Sequence, residues 1–346
     1  MYACTDMRDT LPDPSDAGLG YGRMGVVNAP GAGMTIADVG EFALIGLIRE
    51  RLGAASGLII GPGDDAAEIP APGGSFLISS DLLIEGRHFR RDWSSAEDVG
   101  RKAAAANLSD INAMGGSATA LTVSLGLPGD LGVDWVLQLA DGLAAECAIV
   151  GAEIAGGDIT ASDAIVIAIS AVGHATRSVR RDTAAPSDII AFAGSLGMAG
   201  AGFATLSRGF RSPRAVVDAH RVPTPPYKAG PQAAEAGATS LIDVSDGLLA
   251  DLGHIARGSG VVIDLDSAAF PISEWVATVA DALGSEPLRY VLTGGDDYAL
   301  VGSFSGDVPE GWTRIGVARH PELGEEPSVL VDGAPYEGAQ GHQHFR

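Results

Sequence analysis

Apolar residues recur with helical spacing at several places along the chain. The clearest example covers residues 36–52, where three- and four-residue spacing is typical of an amphipathic helix. Its apolar positions are Ile36, Val39, Leu44, Ile45, Leu47, Ile48 and Leu52, and Gly53 follows as a helix-terminating glycine. Similar patterns predict helices at residues 96–114, 135–150, 198–206, 228–237 and 247–257.

Short apolar runs between these helices predict strands. They cover residues 76–80, 121–127, 165–172, 188–193, 240–243 and 261–265. A charged, turn-rich stretch at residues 173–187 divides the elements into two series, so we expect two domains of the α/β class, at residues 34–175 and 176–346. Residues 1–33 have neither period and are rich in Gly, Pro, Asp and Ala, which predicts a disordered extension with Met34 as an alternative start.

Composition and charge exclude several classes of function. The 346 residues carry a net charge of −22, whereas nucleic-acid binding needs stripes of Lys and Arg. Lys102 and Lys228 are the only lysines, and no P-loop sequence occurs. No apolar stretch reaches the roughly 20 residues of a membrane span, and two cysteines are too few for a disulfide framework. The sequence favours an acidic cytoplasmic protein without nucleic-acid or membrane partners.

Six short motifs combine aspartate with glycine, serine or asparagine. Most follow a predicted strand or apolar run, where α/β proteins place their ligands. Each alone is typical of a turn, but the set indicates a binding site. The motifs are Gly63-Asp64-Asp65, Ser79-Ser80-Asp81, Asn107-Leu108-Ser109-Asp110, Gly156-Gly157-Asp158, Asp243-Val244-Ser245-Asp246-Gly247 and Gly294-Gly295-Asp296-Asp297.

Asp110 is the most informative member of this set. It is predicted to lie in the last turn of a helix, where the helix dipole disfavours a carboxylate by up to about 1 kcal/mol. Asn107 shares its helix face, and a bound cation would neutralise the carboxylate. Oxygen ligands without cysteine favour Mg²⁺ or Ca²⁺ over zinc, and residues 243–251 lack the EF-hand spacing.

The same motifs suit the phosphates of a nucleotide. Glycine-rich turns before Asp64, Asp158 and Asp296 would let backbone N–H groups approach phosphate oxygens. Ser245 precedes a predicted helix whose N-terminus can bind an anion, although a simple N-cap explains this serine equally well. The residues therefore predict a Mg²⁺–nucleotide site without a P-loop.

These motifs, together with Gly40-Glu41-Phe42, resemble those of the thiamine-monophosphate kinase family. The match runs in order from Gly40 to residues 341–345. The wider superfamily includes aminoimidazole ribonucleotide synthetase. The resemblance implies an α/β class with mixed sheets, in the two-domain PurM-like fold. Its N-terminal domain would bind ATP and Mg²⁺ and dimerise through its sheet, and its C-terminal α/β domain would complete the nucleotide and substrate site.

The resemblance also implies a role for individual residues. The implied metal ligands are Asp64, Ser79, Ser80, Asp81, Asp110, Asp158, Asp243 and Asp246. The implied ATP contacts are Gly157, Asp158, Arg181 and Ser245, although the neighbouring Arg180 competes with Arg181 in the alignment. The implied substrate contacts are His88, Asp296 and His342; the family usually has Glu at the second position and commonly an aromatic residue at the third.

The implied reaction is phosphorylation of thiamine monophosphate by ATP, giving thiamine diphosphate, with several Mg²⁺ ions and direct in-line transfer. Neither a covalent nucleophile nor a general base is expected. Two alternatives stay open: an ATP-dependent ligase of the aminoimidazole ribonucleotide synthetase type, and a catalytically silent Mg²⁺–nucleotide-binding module. The expected ligands are ATP and thiamine monophosphate, and the expected assembly is a homodimer.

Overall fold

The computed structural model describes residues 33–53, 57–59, 69–338, 340 and 341. The first half of this part forms a four-stranded sheet with helices on one face. Its helices are α1 (Ile36–Val39), α2 (Glu41–Leu52), α3 (Ala96–Ala113) and α4 (Val133–Val150), and its strands are β1 (Leu77–Ile84), β2 (Ser117–Leu127), β3 (Glu153–Ala161) and β4 (Val166–His174). The strand order is β1-β4-β2-β3, and only β2 and β3 run parallel.

The two faces of this sheet differ because side chains alternate along each strand. Leu121, Val123 and Ile169 are buried on the face that α3 and α4 cover. The opposite face carries Ile78 and Leu82 of β1, which are 65% and 41% exposed. This face, with its exposed apolar side chains, is thus left uncovered by the described part of the chain.

The second half forms a mixed sheet of seven strands in the order β11-β10-β7-β9-β5-β8-β6, with its own hydrophobic core. Its strands are β5 (Ile189–Ala193), β6 (Ser240–Asp243), β7 (Val262–Leu265), β8 (Leu300–Phe304), β9 (Thr313–Arg319), β10 (Val329–Val331) and β11 (Ala334–Pro335). Its helices are α5 (Met198–Ser207), α6 (Arg214–Arg221), α7 (Ala229–Glu235), α8 (Leu248–Ser259), α9 (Glu274–Leu283) and α10 (Pro287–Thr293). Among the helices of the described ranges, none has the length and hydropathy needed to cross a bilayer.

Helix α3 belongs to both halves. One side packs on β1, β2, β4 and α4, and it also contacts β6, α6 and α7 of the second half. Its alanines are buried, and so are the polar side chains of Lys102, Ser109 and Asn112. Asn112 illustrates the bridging: its Nδ2 donates to the carbonyl of Pro226 at 3.2 Å, and its Oδ1 accepts from the Gly230 N–H at 2.9 Å.

The structure corrects three sequence-based expectations that concern candidate residues. The predicted helix at 36–52 is two helices, because Gly40 stands between them at φ +75°. Strand β1 continues to Ile84, so Asp81 lies inside a strand rather than after one. Asp158, expected after a turn, lies in the middle of β3.

Candidate active site

Four candidate metal ligands lie around the C-terminal half of α3, between β1 and the end of β6. Ser79 Oγ donates to Asp110 Oδ2 at 2.5 Å, which joins β1 to α3. Ser109 Oγ donates to Asp243 Oδ2 at 2.7 Å, which joins α3 to the second sheet. The Asp81 N–H donates to Asn107 Oδ1 at 3.1 Å. Ser109 and Asp110, adjacent residues of one helix, thus make hydrogen bonds to the second sheet and to β1.

The electrostatics of this cluster are unfavourable for ionised carboxylates. Burial raises the pKa of Asp110, and the nearby charge of Asp81 raises it further, against the hydrogen bond from Ser79. Burial likewise raises the pKa of Asp243 to about 7, with added contributions from Asp110 and Asp81. A cation bound here would offset both the burial and the mutual repulsion.

The donor set suits Mg²⁺, although the described residues do not form a closed metal site. Within the described ranges, no three His, Cys, Asp or Glu side chains are close enough together to hold an ion. Magnesium commonly takes one or two carboxylates and completes its shell with water and nucleotide phosphates. Carboxylates and hydroxyls at separate positions around α3 therefore fit ions that a nucleotide brings with it.

Asp246 and Ser245 lie in the turn between β6 and α8. The expectation that Ser245 could be the N-cap of α8 is wrong, because Gly247 is the cap. Gly247 has φ +129°, and any side chain there would crowd the backbone of Thr293. Ser245 does not cap the helix and is exposed next to the cluster. Its backbone carbonyl accepts a hydrogen bond from the Asp296 N–H at 2.9 Å.

Sequence reasoning missed Asp251, which shapes this turn. Its Oδ2 accepts from the N–H groups of Asp246 and Gly247 at 3.1 and 3.0 Å, so these donors at the start of α8 already have a partner. Burial raises the pKa of Asp251 to about 8, and the charges of Asp243 and Asp246 add to the effect. Its position in the first turn of α8, next to an Asp-rich loop, was the available signal.

Ser80 and Asp158 lie on the other face of the first sheet. Strand alternation turns Ser80 away from the helices, and its Oγ lies 3.3 Å from Ser170 Oγ on the uncovered face. Asp158 aligns with Leu82 across the sheet, through the paired residues of β2 and β4. Three strand spacings separate β1 from β3, about 14 Å. One protomer therefore does not bring Asp158 to Asp81.

Gly157, a candidate ATP contact, can only be glycine in this strand. A Cβ at that position would collide with the carbonyl oxygen of Val123 on the paired strand β2. Strand β3 is at the edge of the sheet. The surface beside Asp158 is therefore open, and Asp158 is exposed.

The candidate substrate residues His88 and Asp296 lie near each other. His88 follows β1, and its Nδ1 accepts from the Ile84 N–H at 2.9 Å. Asp296 stands at φ +66° in a turn of the second half. Burial would raise the pKa of Asp296, but Lys102, His220 and His88 together lower it below its ordinary value.

Arginine positions 180 and 181 have different surroundings. Both guanidinium contacts of Arg180 go to Asp182, at 2.8 and 2.5 Å. Arg181 is exposed, and its charge helps to lower the pKa of His254 on α8, after the larger effect of burial. Arg181 is thus the one that faces the helix following Asp246.

Two candidate residues, Asp64 and His342, lie outside the described residues. Gly341, the last described residue, packs against the Asp246 carbonyl and the side chain of Ala250. The chain therefore lies beside the candidate site at Gly341.

Comparison with known proteins relates the chain to one superfamily along most of its length. Residues 63–175 match the N-terminal domain of the AIR synthase related proteins, and residues 185–301 match their C-terminal domain. Hydrogenase maturation protein HypE in complex with ATP shares this fold, with a TM-score of 0.65 at 20% identity over 78% of this chain and 84% of that chain.

Relatives with higher sequence identity to this chain share one protein name. The thiamine-monophosphate kinase of Mycobacterium tuberculosis is 43% identical over 315 residues, 90% of this chain and 93% of its own length. That of Corynebacterium glutamicum is 36% identical, covering 84% of this chain and 90% of its own length. The structure of AaThiL complexed with AMPPCP and TMP has a TM-score of 0.74 at 33% identity, over 91% of this chain and all of that one. The order of the acidic motifs, the mixed two-sheet fold and these identities together place this chain in the thiamine-monophosphate kinase family.

Proposed function

We propose that this protein transfers the γ-phosphoryl group of ATP to thiamine monophosphate, giving thiamine diphosphate and ADP. The observation that carries the proposal is the proximity of Asp81, Asp110 and Asp243 around α3, where hydrogen bonds of this helix join both halves of the chain. Support comes from the 43% identity to a thiamine-monophosphate kinase and from the AaThiL complex with AMPPCP and TMP.

The reaction needs positioning more than proton transfer. A phosphate oxygen of thiamine monophosphate attacks the γ-phosphorus in line, and the bond to the β,γ-bridging oxygen breaks as ADP leaves. The attacking oxygen is already anionic, so no general base is required. Magnesium, when bound by the candidate ligands, supplies charge neutralisation for the triphosphate.

Different residues of the chain would bind each of the two substrates. Gly157, Ser245 and Arg181 would contact ATP, the glycine through its exposed backbone and the arginine through its charge. His88 and Asp296 would contact thiamine monophosphate. Asp251 would keep the turn that carries Ser245 in place through its two backbone hydrogen bonds.

A homodimer through the first sheet is part of the proposal. The uncovered face carries the exposed apolar side chains of Ile78 and Leu82, an arrangement that favours burial against a second sheet. The same face carries Ser80 and Asp158, three strands apart. If both serve one ATP site, Asp158 of the partner subunit supplies the missing carboxylate.

The deciding experiment is turnover by the purified protein. ATP, Mg²⁺ and thiamine monophosphate are mixed, and thiamine diphosphate is separated and quantified. Stoichiometric formation of ADP and thiamine diphosphate is the expected result. Turnover of formylglycinamidine ribonucleotide instead would favour the ligase alternative, and tight ATP binding without any product would favour a silent binding module.

A further inference from the structure

Lys102 is a buried cation to which the proposed reaction assigns no role. It lies in the middle of α3, and its side chain is only 4% exposed. Lys228 is the only other lysine in the chain. Burying an ammonium group is costly unless the charge is paired and hydrogen-bonded. The partner of Lys102 is therefore the informative feature.

That partner is the candidate substrate residue Asp296. Lys102 Nζ donates to Asp296 Oδ2 at 2.9 Å and to the carbonyl of His220 at 3.3 Å. The two residues of the ion pair come from different halves of the chain, 194 positions apart. The ion pair thus attaches the turn at Asp296 to the helix that also carries Asp110.

The pair holds one oxygen of the carboxylate and leaves the other available. The Asp296 side chain is 37% exposed, and its Oδ1 accepts no hydrogen bond from any residue in the described ranges. The backbone at φ +66° is a conformation that non-glycine residues rarely adopt. The carboxylate is therefore directed by its contacts rather than by a relaxed local turn.

His220 contributes a second polar atom aimed at the same carboxylate. Its Nδ1 lies 3.8 Å from Asp296 Oδ2, its side chain is 8% exposed, and this atom has no hydrogen-bond partner among the described residues. Burial and the charge of Lys102 lower the pKa of His220 to about 3, so the imidazole is neutral. The positive charge in contact with Asp296 accordingly comes from Lys102.

We infer that Lys102 is a positioning residue, which fixes Asp296 so that its free carboxylate oxygen meets thiamine monophosphate. The inference rests on the proposed function, because it takes Asp296 as a contact of that substrate. In this proposal Lys102 contacts Asp296 rather than ATP or the transferred phosphoryl group. Its effect should therefore appear in the Michaelis constant for one substrate only.

The first test is steady-state kinetics of the Lys102→Met variant with each substrate varied in turn. We expect the KM for thiamine monophosphate to rise at least tenfold, while the KM for ATP stays within about twofold of the wild type. Arg101→Met is the matched control, since Arg101 is the next residue of α3 and pairs instead with Glu146 of α4 at 2.9 Å. This control should leave both constants unchanged.

The second test asks whether Lys102 acts through Asp296. Lys102→Met is combined with Asp296→Asn, which also removes the unpaired buried charge and keeps the comparison possible if the single variant does not fold. We expect the double variant to have the same KM for thiamine monophosphate as Asp296→Asn alone. A further rise in the double variant, or equal changes in both constants in the single variant, would overturn the inference.

The outcomes also separate this inference from the proposed function. A wild-type enzyme that makes thiamine diphosphate, with a Lys102→Met variant of unchanged KM for thiamine monophosphate, would leave the function intact and reject the role of Lys102. A wild-type protein without turnover would reject both.

Discussion

The buried carboxyl groups of the candidate site have raised pKa values, so we expect their ionised forms to lower the stability of the ligand-free protein. Burial and Asp81 raise the pKa of Asp110, so the folded state disfavours its ionised form. A carboxyl group whose pKa is raised by folding stabilises the fold most at low pH, and this contribution is lost as the pH rises above the unfolded-state value near 4. At neutral pH the ionised side chain is therefore expected to destabilise the ligand-free protein, and a bound cation would remove this effect.

This balance predicts the behaviour of Asp81→Asn and Asp110→Asn. We expect kcat to fall on the order of 10²-fold or more, because charge is lost from a site that is proposed to hold cations against a triphosphate. The melting temperature of the ligand-free protein should be unchanged or higher, because repulsion and desolvation are relieved. Calorimetry and steady-state assays measure both quantities.

The control for these variants is Asp163→Asn, at an exposed position between β3 and β4. It should change neither kcat nor the melting temperature. Full activity of both site variants at ordinary Mg²⁺ concentrations, or reduced stability with full activity, would show that Asp81 and Asp110 are only structural.

How far the site could be predicted differs from residue to residue. The motifs predicted which carboxylates are present, because aspartates beside glycine and serine are visible in the sequence. Ser79 and Ser80 both lie in the strand predicted at 76–80, so side-chain alternation already turns them to opposite faces. The motifs did not predict that the described helices cover only the face of Ser79. Lys102 was missed because a cation in a helix normally lies on the solvated face, and only the partner from the second half explains its burial.

Among the elements, the pair α3 and α4 shows how close packing depends on glycine. A Cβ at Gly142 of α4 would collide with the Glu97 carbonyl of α3, and a Cβ at Gly100 of α3 would collide with the Leu139 carbonyl of α4. The two helices therefore approach backbone to backbone at this crossing. The α3–α4 packing fixes the base from which Lys102 and Asp110 extend.

The crossing predicts opposite effects for two glycine-to-alanine substitutions. Gly142→Ala should destabilise the protein by about 1–3 kcal/mol, since the clash is with backbone and outweighs the gain in helix propensity. Gly46→Ala, in α2 with open space around the new methyl group, should stabilise by about 0.5–1 kcal/mol. Denaturant unfolding of both variants measures the difference, and equal shifts would disprove the close crossing.

The elements also show where local patterns suffice. Helices α3 and α4 were predicted at 96–114 and 135–150 and observed at Ala96–Ala113 and Val133–Val150, because their apolar periodicity is long and regular. Strand β3 was missed, since Gly156 and Gly157 have little strand propensity and only pairing with β2 makes them extended. The short helices and strands of the second half, such as α10 and β10, depend in the same way on tertiary contacts.

For the whole molecule, the position of Asp158 has a consequence for activity. On the proposed dimer, each active site would combine Asp81 of one subunit with Asp158 of the partner subunit. The variants Asp81→Asn and Asp158→Asn would each keep about a hundredth or less of the wild-type activity alone. A heterodimer of the two would keep one intact site, because both lesions then fall in the other site.

Subunit mixing tests this arrangement. Co-refolding equal amounts of the two variants should restore about a quarter of the wild-type activity, since half of randomly mixed dimers are heterodimers with one of two sites intact. Sedimentation should show a dimer throughout. No recovery from demonstrated heterodimers, or a wild-type protein that sediments as a 35 kDa monomer, would contradict the proposal.

The C-terminal end of the chain is predicted to close the substrate site. Gly341 packs on Asp246 and Ala250, and the resemblance assigns His342 to the substrate. Removing residues 341–346 should raise the KM for thiamine monophosphate severalfold and leave ATP affinity nearly unchanged, because closure excludes water from the substrate side. An unaltered KM for thiamine monophosphate would show that the tail has no such role.

The contacts of α3 with both halves also have a consequence for how the gene can be divided or recombined. A helix whose hydrogen bonds end in both sheets cannot be completed by either half alone: Ser109 and Asn112 need acceptors and donors from the second half, while Ala103 and Leu108 need the first sheet. If the gene were split between the two halves, the first product would expose the polar side chains of α3. The second product would lack their hydrogen-bond partners. The two halves are therefore expected to be exchanged between proteins only as a unit.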